Sequence, residues 1–255
     1  MMHGTQRVTT PVTDYVPDPS AEAMVGDVVL SLVQSCGIFG QDAYAIRTEF
    51  AELYKRASST QERIAVLLSV VDRCGDARHP FAYLSVPLTT GRAYIELRAR
   101  RAKTGTNNAD EFQAERRRTV EHNRRRAHEA AKFLRTNVRG MVIDPSRLVD
   151  VPGWEQRDYH MFWTTVIDRF AEEVFFLDGW QYSVGCTIEF STAVKLGLPT
   201  LTIEFITLNP ATGQQLVHDA VQEYAQIGLD PKPLCDALSI DKLGTTQPHP
   251  TSDAD

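Results

Sequence analysis

The sequence is poor in cysteine and in the motifs that bind metals or phosphates. Its four cysteines lie far apart at Cys36, Cys74, Cys186 and Cys235, with no CxxC pair and no histidine at metal-ligand spacing. This pattern argues against a structural zinc site and against a disulfide framework. Reduced thiols in a cytosolic protein are the simplest account of it. No GxGxxG follows the first apolar run and no GxxxxGK[ST] is present, so the dinucleotide and P-loop interpretations lose their main support.

Long apolar runs and an excess of positive charge are also missing. No stretch approaches the length needed to span a bilayer, and residues 1–7 lack the apolar core of a signal peptide. We therefore expect a soluble, cytoplasmic protein with no membrane partner. A formal net charge of −6 over 255 residues argues against general affinity for nucleic acids and favours a small-molecule partner.

Short apolar runs alternate with helical patterns through most of the chain. The runs predict strands at 81–86, 141–144, 174–178 and 200–206, separated or followed by helices at 109–135, 158–171, 185–197 and from 210. Alternating strands and helices form parallel crossovers. We therefore predict an α/β fold, a Rossmann-like or flavodoxin-like three-layer sandwich with a mostly parallel sheet of four to five strands.

The ends of the chain differ from this middle part in composition. Residues 1–19 carry three prolines and predict a flexible lead-in, and residues 244–255 predict a disordered tail. Between them, 20–78 form a predicted N-terminal helical extension with helices at 21–36, 42–56 and 59–75, the third opening on a capping-box pattern. The predicted α/β domain is 79–243.

The segment 174–205 is the most informative stretch. It predicts a strand, a polar turn, a helix opening on Gly185 and a second strand. Asp178, Ser183, Gly185 and Glu189 fall after the first of these strands. Open α/β sheets bind ligands at the carboxyl ends of their strands, so we expect a ligand site there.

Residues 178–189, DGWQYSVGCTIE, followed by Ala193, Gly197 and Pro199, resemble the signature of the nucleoside 2-deoxyribosyltransferase-like superfamily. That superfamily includes deoxyribosyltransferases and nucleoside 5'-monophosphate N-glycosidases. Residues 83–87 with Gly91 and Arg92 resemble its first strand and loop, and 123–134 leading to 142–145 resemble its first helix and second strand. The resemblance covers about 80–206. The loop 88–92 departs from it, since it lacks the several glycines of the clearest nucleotide hydrolases.

The resemblance implies an enzyme that hydrolyses or transfers an N-glycosidic bond, with no metal or organic cofactor and with a homodimer or larger homo-oligomer. It implies that Glu189 is the nucleophile that attacks the anomeric carbon. It further implies that Asp178 handles the base or its proton, that Tyr83 hydrogen-bonds the glutamate, and that Ser183 contacts a 5'-phosphate. A carboxylate near a helix N-terminus is stabilised as an anion and can in turn stabilise an oxocarbenium-like centre.

Each of these residues also has a purely structural interpretation. Glu189 can complement the helix dipole, Ser183 can cap the helix, Asp178 can cap the following turn, and Tyr83 can be a buried core residue. With Gly185, the Ser183 hydroxyl would otherwise form an anion site at the helix start.

Five further residues are candidates for the rim of the pocket. Gly91 gives the loop after the first strand its flexibility, and Arg92 is placed to pair with a phosphate or a ribose hydroxyl, unless it is simply solvated. Trp163 and Trp180 are candidates for stacking on a base, and core packing is the alternative for Trp163. His160 is either part of the site or an ordinary surface histidine.

Two arginine triplets, 116–118 and 124–126, invite a nucleic-acid interpretation. Consecutive helical residues point around the helix rather than along one face, so a solvated face or an oligomer interface accounts for them better. Two functions stay open: glycosyl transfer or hydrolysis on a nucleoside or nucleoside monophosphate, and a protein that senses a nucleotide without turnover. No recognisable pattern in the sequence identifies the base, the sugar, the acceptor, the role of the helical extension or the oligomeric state.

Overall fold

The structure, a computed structural model, describes residues 19–75, 81–105 and 108–239, with side chains described from Asp27 onward. The predicted tail, and all but the last residue of the predicted lead-in, lie outside the described residues.

The central sheet has four parallel strands. These are β1 (Phe81–Ser85), β2 (Met141–Ile143), β3 (Ala171–Phe176) and β4 (Thr200–Thr202), in the spatial order β2-β1-β3-β4. Tyr83 pairs with Ile143 of β2 on one side and with Val174 of β3 on the other, so β1 lies inside the sheet. The predicted α/β fold of Rossmann-like or flavodoxin-like type is confirmed.

Helices surround this sheet and connect its strands. In chain order they are α1 (Pro19–Ser35), α2 (Gly40–Arg56), α3 (Thr60–Cys74), α4 (Arg92–Thr104), α5 (Ala109–Asn137), α6 (Gln156–Phe170), α7 (Val184–Lys195), α8 (Pro210–Gln226) and α9 (Lys232–Leu238). Two single 3-10 turns are added at Pro145–Arg147 and Trp180–Tyr182, called here the 145–147 turn and the 180–182 turn. Among the helices that the structure describes, none combines the length and the apolar character needed to cross a bilayer.

Several boundaries differ from the sequence prediction. Helix α4 was not predicted, because its charged sequence buries only Ile95 and Leu97. Strand β3 begins at Ala171 and ends at Phe176, rather than spanning 174–178, since α6 runs directly into it. Strand β4 ends at Thr202 rather than at 206, because the chain turns back there.

The chain reverses tightly after β4. Phe205 adopts a positive φ of 62°, and the Thr202 amide donates to the carbonyl of Ile206 over 2.9 Å. The Leu208 amide then donates to the carbonyl of Thr200 over 2.8 Å. The returning segment thus forms an antiparallel bridge along β4.

The two faces of the sheet carry different cores. On one face, α5 contributes mainly small residues, Ala127, Ala130 and Ala131, against Ala82 and Phe175. Because alanine has a small side chain, α5 packs close to the sheet. The other face holds a larger core that includes buried residues of α1, α2, α3, α6, α7 and α8.

The three predicted N-terminal helices are confirmed, and they share that larger core. The Asp144 amide donates to the carbonyl of Ser35 over 2.8 Å, and the Val149 amide donates to the hydroxyl of Ser31 over 3.2 Å. The C-terminal end of α1 thus binds the segment that follows β2. The division of the chain into domains at 78/79 stays a prediction.

Candidate active site

The site is built where β1 ends beside helix α7. Tyr83 and Ser85 are two residues apart on β1, so both side chains leave the same face of the strand. The Tyr83 hydroxyl donates to Oε1 of Glu189 over 2.7 Å, and the Ser85 hydroxyl donates to Oε2 over 2.6 Å. The Glu189 carboxylate, on the second turn of α7, is therefore held by one hydroxyl at each oxygen.

Burial determines how these groups titrate. It raises the pKa of Glu189 to about 7, while hydrogen bonds from Ser85 and Tyr83 act to lower it. Burial, followed by the neighbouring Glu189 charge, raises the pKa of Tyr83 well above its ordinary value. The carboxyl group thus titrates near neutral pH, and the Tyr83 hydroxyl keeps its proton to donate.

Glu189 lies in the wall of a cavity of about 480 Å³, which we call the active-site cavity. Small-molecule sites commonly measure about 300 to 1,000 Å³, and the volume of this cavity falls within that range. Its walls come from the loop after β1, from α5, from the 145–147 turn and the loop that follows, from α6 and from the start of α7.

The start of α7 contributes Ser183 and Gly185 to this cavity. Ser183 caps the helix, its hydroxyl accepting from the Cys186 amide over 3.5 Å. A Cβ at Gly185 would lie 3.4 Å from Nε2 of His160, so α7 and α6 are in contact at this point. The predicted contact of Ser183 with a phosphate stays a prediction beside this capping role.

Helix α6 contributes His160 and Trp163 to the cavity. Burial lowers the pKa of His160, which favours the neutral imidazole, and Nε2 of His160 lies 3.0 Å from Nε2 of Gln156. The Trp163 ring packs against the Tyr83 ring with centroids 6.0 Å apart. Both residues are thus placed where a bound ligand would meet them.

Asp178 and Trp180 lie outside the cavity lining. The Asp178 side chain is 68% exposed, and its Oδ2 lies 3.9 Å from Nη2 of Arg126. The reason is local: β3 ends before Asp178, and the chain turns through Gly179 at a positive φ of 87°. Trp180 is only 3% exposed and packs between Phe176 and Phe190, so it belongs to the core and not to the rim where the sequence analysis expected it.

Gly91 and Arg92 also lie outside the cavity lining, at the start of α4. Gly91 has a positive φ of 93°, and a Cβ there would come within 2.9 Å of Cβ of Pro87, so glycine is required for the turn into α4. The Arg92 guanidinium stacks 5.1 Å above the centre of the Tyr182 ring. Arg92 is exposed to solvent and lies outside the wall of the active-site cavity.

Comparison of the chain with protein-family models, curated proteins and solved structures gave no match.

Several residues of the site were missed by the sequence prediction. Ser85 had a usable signal, its i, i+2 spacing from Tyr83. Arg124 and Asp150 line the cavity, but nothing in their neighbourhood distinguishes them from surface charges. Asn123 donates through Nδ2 to the carbonyls of Leu88 and Thr90, both over 3.0 Å, and thereby fixes the loop after β1 beside the cavity.

Proposed function

We propose that this protein cleaves or transfers the N-glycosidic bond of a nucleoside or nucleoside 5'-monophosphate through Glu189. The observation that carries the proposal is the Glu189 carboxylate, held by the Tyr83 and Ser85 hydroxyls in the wall of a nucleoside-sized cavity. The resemblance of residues 178–189 to the nucleoside 2-deoxyribosyltransferase-like superfamily supports the same chemistry.

In the proposed reaction, a Glu189 oxygen attacks the anomeric carbon of the sugar. The electron pair of the carbon–nitrogen bond leaves with the base, which takes up a proton, and a glycosyl ester of Glu189 forms. Water or a second base then attacks the same carbon and releases the carboxylate. Each carboxylate oxygen accepts one hydroxyl and keeps a lone pair for attack.

Burial of Glu189 supports this role. A carboxylate that is largely shielded from water, as Glu189 is in its half-buried position, is less well solvated, and an adjacent positive charge in the transition state is stabilised more strongly in a low-dielectric site. Because the nucleophile has to be ionised, we expect kcat/KM to rise with pH through about 7 and then to level off, following the Glu189 pKa.

Two features support a phosphorylated substrate over a plain nucleoside. Arg124 lines the cavity, and its Nε is shielded from water with no hydrogen-bond partner among the described residues. Across the same cavity, α7 opens at Ser183 with backbone amides that favour anions. A 5'-phosphate between them would satisfy both groups.

The proposal also includes a cytoplasmic location and a homodimer or larger homo-oligomer. The oligomer is proposed on the strength of the resemblance.

The test is release of free base from a panel of nucleosides and 5'-monophosphates, followed by chromatography. We expect Glu189→Ala and Glu189→Gln to abolish release and Tyr83→Phe to reduce it. Exposed Glu172 gives the matched control Glu172→Ala, which should retain full activity. No release by the wild-type protein, or undiminished release by Glu189→Ala, would overturn the proposal. Tight nucleotide binding without turnover would instead identify a nucleotide-sensing protein.

A further inference from the structure

A second cavity, also of about 480 Å³, lies beside the C-terminal half of α5. We call it the basic cavity, after the four cationic side chains that line it: Arg125, Lys132, Arg135 and Arg147. The 145–147 turn contributes to both cavities. Its Pro145 lines the active-site cavity, whereas its Arg147 lines the basic cavity.

The positive charge of the basic cavity results from helical spacing. Arg125, Lys132 and Arg135 recur at intervals that place them along one face of α5. Opposing them are Glu129 at the cavity wall and fully buried Asp144, whose Oδ2 is 3.4 Å from Nε of Arg147. Four cations thus face two carboxylates, which leaves an excess of positive charge.

Part of this cation cluster is fixed in place before any ligand binds. Arg135 donates through Nη2 to the carbonyls of Ser35 and Val142, over 3.2 and 2.9 Å. The Phe39 ring lies between two guanidinium groups, 5.8 Å from that of Arg135 and 5.1 Å from that of Arg147. Groups held in this way lose little conformational freedom on binding.

One donor beside this cavity makes no contact with an acceptor among the described residues. Nε of Arg135 is shielded from water and has no hydrogen-bond partner there, whereas Nε of Arg147 and Nε2 of His128 lie 3.4 and 3.8 Å from Oδ2 of Asp144. Buried polar atoms are normally hydrogen-bonded, so the Arg135 Nε calls for an explanation. An anion in the basic cavity would provide an oxygen acceptor for it.

We propose that the basic cavity is a second binding site that takes a small phosphorylated ligand, separate from the active-site cavity. Guanidinium groups match the oxygens of a phosphate in charge and geometry. The volume suits a ligand between pyrophosphate and a mononucleotide in size, and the net charge of −6 for the whole chain opposes a long polyanion.

The experiment is calorimetric titration of the full chain with pyrophosphate and with inorganic phosphate at low salt. Arg125 and Lys132 are exposed, so Arg125→Gln and Lys132→Gln should fold normally, which unchanged thermal unfolding would verify. Each should weaken pyrophosphate binding about tenfold, as expected for loss of one charge-assisted hydrogen bond. Glu129→Gln should tighten binding, because it removes a like charge. Arg117→Gln, an exposed change of the same type on the same helix, should have no effect.

Arg124→Gln separates this site from the active-site cavity. It should leave pyrophosphate binding at the basic cavity unchanged, whatever happens to base release. If Arg124→Gln abolishes binding while Lys132→Gln does not, the phosphate occupies the active-site cavity and the inference is wrong. The inference would also be overturned if neither pyrophosphate nor inorganic phosphate bound. It would equally be overturned if a single-stranded oligonucleotide bound more tightly than pyrophosphate and its binding depended on Arg117.

Discussion

Replacing Glu189 with glutamine should change how stability depends on pH, whether or not the protein is an enzyme. Burial raises the pKa of the Glu189 carboxyl from its ordinary value of 4.5 to about 7 in the folded protein. The folded state therefore binds a proton between these values that the unfolded state has lost. Stability falls as pH rises wherever the folded state binds more protons. This group thus favours folding at low pH, and its contribution is lost as pH rises through about 7.

The magnitude follows from the pKa difference. Each unit of pKa difference corresponds to about 1.4 kcal/mol, so a change from 4.5 to about 7 corresponds to roughly 3 kcal/mol in full. Most of this, roughly 2 kcal/mol or more, falls between pH 5 and pH 8, by the same linkage relation. Glutamine has nearly the same shape but no titrating proton, so Glu189→Gln should lack this component.

The assay is urea unfolding of wild type and Glu189→Gln at pH 5, 6, 7 and 8. Other titrating groups act alike in both proteins, so the difference between their free energies of unfolding isolates Glu189. We expect glutamine to be favoured over glutamate by roughly 2 to 3 kcal/mol more at pH 8 than at pH 5. Parallel profiles would show that the carboxyl is not perturbed by burial and would refute the reasoning. Ser85→Ala removes a hydrogen bond that lowers the pKa of Glu189. In this variant, the loss of stability with rising pH should therefore occur at a higher pH than in the wild-type protein.

Three further perturbations test individual contacts of the fold. Gly213→Ala would place a Cβ 2.1 Å from Cζ of Phe190, so we expect a loss of about 1–3 kcal/mol in urea unfolding that Phe190→Leu partly restores. Ser59→Ala removes the capping hydroxyl of α3 and should cost about 1 kcal/mol, whereas Ser69→Ala on the same helix should cost less. Asn123→Ala releases the loop after β1, which should show as faster amide hydrogen exchange in that loop with the sheet unchanged.

The sheet was predictable from the sequence because its signals are local. Apolar runs bounded by turn residues identified all four strands, and the predicted helices of the N-terminal region occur at nearly the predicted positions. Helix α4 escaped prediction because a helix with only two buried residues has a weak apolar period. The end of β4 was placed too late because the turn at Phe205 carries no glycine or proline to reveal it.

The candidate site was predictable only in part, because a sequence does not determine the direction in which each side chain points. The resemblance implied a hydrogen bond between Tyr83 and Glu189, and in the structure their side chains are in contact. The sequence does not show how the turn after β3 orients the side chain of Asp178. This residue was expected in the site, but it lies outside the cavity lining, beside Arg126. The triplet 124–126 shows the same limit, since Arg124 lines one cavity and Arg125 the other.

The reversal after β4 also affects how the protein behaves at high concentration. An exposed strand edge is a template on which a strand from another molecule can pair, and such pairing leads to aggregation. Here the chain's own segment 206–208 already occupies hydrogen-bonding groups of β4. A left-handed residue other than glycine costs roughly 1–2 kcal/mol, and Phe205 adopts that conformation. The strained turn at Phe205 thus allows the returning segment to cover this edge of the sheet, which opposes the addition of a strand from another molecule.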